Sequence, residues 1–154
     1  MTAFVTAGAG FLLAVLWLDL MFDVQVRAHR GTDIPPHVLT SIGAYYQRVT
    51  TSARPMNRLV GIAMIATIVA IVVQLARGDV PTWLSVASLL LVGGPVGLAA
   101  ARTVPTAVRL GAATDSPSHQ GWLARSIWRD HLLCLSGIAA LLVLQLVFGR
   151  SALH

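Results

Sequence analysis

The sequence predicts an all-α, four-transmembrane-helix bundle, and three observations carry that prediction: the composition, the length of its apolar runs and the placement of its arginines. Aliphatic and aromatic residues make up 56% of the 154 positions and charged residues only 11%, and the mean hydropathy is +0.75. A soluble chain of this size needs a charged exterior. Lysine and glutamate are absent, so the formal charge of +5 comes from 11 arginines set against 6 aspartates.

Crossing about 30 Å of hydrocarbon takes about 20 apolar residues in a helix. Four runs are long enough, at about 4–26, 57–76, 82–101 and 131–149. They divide a single integral membrane domain, 1–154, into four spans with long loops at 27–56 and 102–130. Nine arginines fall in or beside those two loops: Arg27, Arg30, Arg48, Arg54, Arg58, Arg102, Arg109, Arg125 and Arg129. Arg77 and Arg150 fall on the other side. The positive-inside rule then predicts a multi-pass protein of the bacterial cytoplasmic (inner) membrane with both loops inside and both termini outside. Because the arginines lie beside apolar runs and not within a recognition motif, the basic balance reads as membrane orientation, with no nucleic-acid partner. The first run lacks a basic leading region and is longer than a signal core, so it is expected to be retained.

Each element has its own local logic. Gly31 suits the C-cap of the first helix, Pro35 and Pro36 break the chain, and residues 37–54 read as helical through Val38, Ile42, Tyr45, Tyr46 and Val49. Pro55 is expected to kink that helix where it meets the bilayer. In the third span Gly93, Gly94, Pro95 and Gly97 fall together, with Pro105 beyond Arg102, which predicts a kinked or locally unwound helix. Gly93 and Gly97 form a small-xxx-small pair suited to close helix packing, within one chain or in a homo-oligomer. Asp115 or Ser116 is the expected N-cap of a helix that has Pro117 in its first turn and continues into the fourth span. Cys134, the one cysteine, reads as a packing residue.

A shift of 71 residues aligns Arg54 with Arg125, Arg58 with Arg129, Gln74 with Gln145 and Gly78 with Gly149. That spacing predicts two parallel helical hairpins about a pseudo-two-fold axis along the membrane normal.

The candidate chemistry is acidic. On a 3.6-residue period Gly8, Leu12, Val15, Asp19, Asp23 and Val26 share one stripe of the first helix. A carboxylate within a span is costly unless paired, protonated or wetted, so the stripe must face protein. Arg58 and Arg129 start their spans at the same depth and are the expected partners, setting the protonation state of the acids. Asp130 and His131 are adjacent on the fourth span, so one side chain is expected to face the first helix while the other borders the same cavity. Asp19, Asp23 and His131, with Asp130 beside them, also make a candidate metal shell. Tyr46, with Tyr45, lies where it would roof the cavity. The site residues read from the sequence are therefore Asp19, Asp23, Arg58, Arg129, Asp130, His131 and Tyr46.

The segments WLDLMFDVQV at 17–26, YYQRVTTSARPMNRLV at 45–60 and ARSIWRDHLLCL at 124–135 resemble a small bacterial family of four-helix integral membrane proteins. The Asn57-Arg58 and Trp128-Arg129 helix starts are similar, over part of the chain, to the anthrone-oxygenase-like membrane proteins. That resemblance implies four spans and a hydrophobic or quinone-like substrate, and carries over no catalytic residue.

The sequence contains no nucleotide-binding loop, Ser/His/Asp arrangement or CxxC. It names no cofactor and leaves three classes open. The first is a protein of the lipid bilayer that binds a cation, proton or small ligand at the Asp/Arg/His cluster, with a link to transport. The second is a membrane enzyme acting on a lipophilic or quinone-like molecule through Asp130 and His131. The third is a non-catalytic scaffold or assembly subunit.

Overall fold

Apolar runs of this length cannot leave backbone N–H and C=O groups unsatisfied in lipid, so helices are the expected outcome, and a computed structural model has that form. It describes residues 1–29 and 33–149, apart from the side chain at position 54. Among the described residues there are six α-helices and no strand. They are α1 (Thr2–Asp23), α2 (Pro36–Gln47), α3 (Arg54–Arg77), α4 (Thr82–Leu98), α5 (Val104–Ala112) and α6 (Pro117–Phe148).

A 3-10 segment, Val24–His29, extends α1. Four helical stretches are long and apolar enough to cross a membrane: Thr2–His29, Pro55–Arg77, Thr82–Ala112 and Pro117–Phe148. Fewer than a third of the residues in the most apolar stretch of each span are buried inside the bundle, and many of the rest present apolar side chains outward, as suits contact with lipid. Trp17, Ile65, Leu90 and Leu133 are among the large apolar residues facing outward. The chain is a multi-pass, all-α membrane bundle.

Helix boundaries follow local chemistry, with two departures from expectation. The long helix expected over 37–54 is broken: α2 ends at Gln47, a π turn covers Arg48–Ser52, and Ala53 leaves helical geometry at φ −89°, ψ 51°. Pro55 has no N–H to continue the ladder, so the chain restarts with that proline in the first turn of α3, where no donor is required. In the third span the helix stays regular through Gly93–Gly97, and the unwinding falls later, in a π turn at Ala99–Thr103. Gly93, Gly94 and Gly97 have open space where a Cβ would stand, so they make no close helix contact within the chain. The expected C-cap at Gly31 lies outside the described residues.

Elsewhere the helix ends are set by local contacts. Ser116 precedes Pro117 at the start of α6, although its hydroxyl makes no capping bond to the backbone. Helix α6 then runs unbroken for 32 residues, about 48 Å at 1.5 Å per residue, longer than the hydrocarbon is thick. Gly78, left-handed at φ 64°, closes α3: its N–H reaches Leu75 O at 3.2 Å, and the N–H of Asp79 reaches Gln74 O at 3.1 Å. Before α6, Arg109 grips Asp115 with two bonds of 2.9 and 2.8 Å, and this holds the Asp115 carboxyl below the usual carboxylate range. The contribution of that pair is therefore present above the ordinary aspartate value and is lost as pH falls through the lowered one.

The four long helices form a closed ring in the order α1, α3, α4, α6, with contacts α1–α3, α3–α4, α4–α6 and α6–α1. Rotation by two places exchanges α1 with α4 and α3 with α6, the relation required of two parallel hairpins. The diagonal pair α3 and α6 meets through Gln74 and Gln145, the residues aligned by the 71-residue shift. Each amide donates to the other's oxygen, at 3.3 and 3.2 Å, and both side chains are fully buried. Thr2 and Ser88 satisfy the remaining amide hydrogens at 3.1 and 2.8 Å. The Met1 amine lies 3.4 Å from Asp79, and the Thr2 hydroxyl 3.4 Å from Gly149 O, so the start of α1, the end of α6 and the α3–α4 turn share one end of the bundle.

At the opposite end α2 lies across α5 and α6. Its apolar positions Val38, Leu39, Ile42 and Tyr46 are buried against Ala107, Leu110, Leu123 and Ile127. A Cβ on Gly111 would stand 2.7 Å from the backbone nitrogen of Gln47, so only glycine permits this approach. This short helix carries two tyrosines to the acidic stripe of α1.

Candidate functional site

Asp23 occupies the last turn of α1 and is fully buried. Both of its oxygens are engaged: the Tyr46 hydroxyl donates to Oδ1 at 2.6 Å and His131 Nδ1 lies 2.6 Å from Oδ2. A carboxylate only accepts, so the imidazole proton sits on Nδ1 and the ring is fixed in orientation. One turn earlier Asp19 accepts a 2.5 Å bond from the Tyr45 hydroxyl, and its other oxygen lies 3.9 Å from His131 Nε2. Burial and the neighbouring carboxylates push both phenols above the usual tyrosine range, so they keep their protons and serve as donors. Phe22 stacks on Tyr45 with ring centroids 3.9 Å apart, holding that phenol over α1.

These groups close one end of a cavity of about 390 Å³ inside the bundle. Asp19, Tyr45, Tyr46, His131, Thr50 and Asn57 supply polar atoms there, while Phe11, Leu16, Val60, Met64, Val96 and Ile138 make much of the apolar wall. An apolar pocket with a few convergent polar groups at one end is the usual form of a small-molecule site.

The expected set is thus partly assembled. Asp19, Asp23, His131 and Tyr46 come together, but Arg58 and Arg129 do not join them. Both are exposed and make no ion pair among the described residues. Helix phase is the reason. The inner face of α3 runs back from Gln74 through Thr67 to the cavity-lining Met64 and Val60, and Arg58 lies about 200° around the axis from Val60. On α6 the inward arc is taken by Asp130, His131 and Cys134, leaving Arg129 outside it. Replacing Arg58 or Arg129 by alanine is therefore expected to change unfolding stability by no more than about 0.5 kcal/mol, measured by denaturant titration in detergent. A loss of several kcal/mol would mean that these arginines do pair with the buried acids.

Asp130 also departs from expectation. It is buried and does not line the cavity; its carboxylate lies 3.2 Å from Arg102 Nε and 3.4 Å from the hydroxyl of the cavity-lining Thr103. Arg102 further donates to Ser126 at 2.7 Å. The π turn at Ala99–Thr103 sets this pair over α6, so Asp130 has an arginine partner of its own, and Asp23 is the carboxylate bonded to His131. The metal expectation meets a similar obstacle. Asp23 and Asp19 lie on opposite nitrogens of one imidazole, and Nδ1 is occupied by its bond to Asp23. Among the described residues no three His, Cys, Asp or Glu side chains converge as metal ligands would.

Arg102, Thr103 and Tyr45 were not read as partners of the buried acids. Arg102 looked like one more inner arginine, and its pairing depends on a π turn that carries no distinct sequence signal. Tyr45 was legible as a neighbour of Tyr46, since α2 presents both to α1.

The fold and cavity define a class: a small multi-pass helical membrane protein with a buried aspartate–histidine–aspartate array at the end of an apolar cavity. No family model matches the chain, and no curated protein or solved structure shows significant similarity to it.

Proposed function

We propose that this chain is a small-ligand-binding protein of the bacterial cytoplasmic membrane, in which the cavity holds an apolar body and Asp19 with His131 receive a polar, cationic or proton-exchanging head. One observation carries the reading. A histidine oriented by a fully buried carboxylate presents its second nitrogen beside another carboxylate, 3.9 Å away, at the polar end of an apolar cavity. A pure scaffold has no use for that opening, since the same acids would cost less if fully paired. Nine arginines in or beside the 27–56 and 102–130 loops support an orientation with those loops in the cytoplasm and both termini outside. The open glycines of α4 suit a homo-oligomer contact.

Native mass spectrometry tests the binding reading. The expected result is a small molecule retained on the wild-type chain and lost from Val60→Phe, which fills the cavity, with the helical circular dichroism signal unchanged. Equal complements on the two proteins would remove the cavity as the site.

A second reading, an enzyme acting on a lipophilic or quinone-like substrate, has the Asp23–His131 pair in its favour. A base held by a third group is the usual arrangement of an activated acid/base centre. In that reading Asp23 replaces Asp130 as the partner of His131, and the expected substrate group lies between Nε2 and Asp19.

A further inference from the structure

The polar end of the cavity is out of charge balance. With both acids ionised, Asp19 and Asp23 carry two negative charges and His131 at most one positive charge, so at least one negative charge is left over. Among the described residues no arginine is ion-paired with Asp19 or Asp23. Arg102 is spent on Asp130 and Arg109 on Asp115, while Arg58 and Arg129 are exposed, and no arginine is among the described residues that line the cavity. The excess rests at Asp19, because Asp23 has both oxygens bonded in a fully buried position. Asp19 has Oδ1 bonded to Tyr45, but its Oδ2 stands 3.9 Å from His131 Nε2, beyond hydrogen-bond reach. His131 is itself more than nine-tenths buried, and among the described residues that Nε2 has no hydrogen-bond partner.

With the ring proton on Nδ1, the neutral imidazole keeps a lone pair on Nε2, so Asp19 Oδ2 and His131 Nε2 are two acceptor positions 3.9 Å apart that match a group with two N–H bonds lying between them. A carboxylate facing an apolar cavity without a counter-charge is costly, and a bound positive charge removes that cost. An inorganic cation is a poor match, because it needs several oxygen ligands around one point and Asp19 offers one free oxygen. The wall also indicates the route to the site. Leu18 and Met56 line the cavity and are 56% and 52% exposed, so it reaches the outer surface between α1 and α3, where acyl chains lie. A ligand dissolved in the membrane meets the cavity from that side.

We infer that the cavity takes a lipophilic organic monocation, a primary or secondary ammonium that donates to Asp19 Oδ2 and His131 Nε2 while its apolar body fills the space toward Val60 and Ile138. The inference rests on the cavity being a ligand site, and it names the class of ligand.

A matched series with one apolar body separates the two claims: 1-adamantylammonium, 1-adamantanol and 1-adamantanecarboxylate. Each is titrated against the protein in neutral phosphatidylcholine nanodiscs, with empty discs subtracted and binding read by saturation-transfer NMR. The expected result is ammonium binding at least about tenfold tighter than alcohol, and no detectable carboxylate binding. In Asp19→Asn the ammonium's advantage over the alcohol should disappear while alcohol binding persists. Equal wild-type affinity for ammonium and alcohol, or tighter binding of the carboxylate, would overturn the cation assignment and leave the cavity as a ligand site. Binding of none of the three would overturn both. The wild-type series decides the question even if Asp19→Asn does not fold.

Discussion

Asp23→Ala is expected to destabilise the bundle by about 3–5 kcal/mol, the usual cost of deleting one member of a buried charged network. The variant strips the acceptor from both the Tyr46 hydroxyl and His131 Nδ1, two groups that are buried beside it. Tyr46→Phe removes one of those bonds and keeps the ring, so it should cost less, about 1.5–3 kcal/mol for a bond to a charged group. Asp19→Ala should cost less than Asp23→Ala, because Asp19 sits at the cavity wall with one hydrogen bond and its side chain is 18% exposed. Denaturant unfolding in detergent, followed by far-ultraviolet circular dichroism, gives the ranking. An Asp19 variant less stable than the Asp23 variant would reverse the roles assigned here, with Asp23 as anchor and Asp19 as the group free to meet a ligand.

Gly111→Val is expected to destabilise the protein by about 1–3 kcal/mol through overpacking. A Cβ there would stand 2.7 Å from Gln47 N and 3.0 Å from Gln47 Cα, and backbone atoms within a helix cannot yield as a flexible side chain would. Relief requires α2 to lift from α5, which would carry Tyr45 and Tyr46 away from the acids of α1. Stability and ligand retention should therefore fall together in this variant, although position 111 does not line the cavity. Gly61→Val, in α3 and outside the cavity lining, is the control. Its Cβ meets nothing within 4 Å, so stability should be nearly unchanged. If Gly111→Val proved as stable as the wild type, the close α2–α5 approach would lose its role in holding the tyrosines over the site.

Much of the architecture is legible without coordinates because lipid imposes it. A run of apolar residues has few ways to satisfy its backbone in hydrocarbon, so the four spans and the Pro117 start follow from local rules. The 71-residue spacing singles out Gln74 and Gln145, and the structure brings these two into contact across the bundle. The acidic stripe of α1 was readable in the same way: Asp19 and Asp23 are one turn apart and had to face protein.

The choice of partner for each buried charge was decided by tertiary structure. Equal depth made Arg58 and Arg129 look suitable for the acids, but depth is one coordinate and azimuth is another, and helix phase turns both arginines outward. The break at Ala53 and the π turn at Ala99–Thr103 shift the register of everything downstream by fractions of a turn. That shift joins Arg102 to Asp130, while α2 brings tyrosine hydroxyls to the acids in place of guanidinium. Sequence alone determined that four helices cross the membrane and that acids lie buried among them, because burial of apolar length is a local property. Which side chain faces which acid, and hence where negative charge remains uncancelled, depends on helix rotation and close backbone approach, which exist only once the helices have packed.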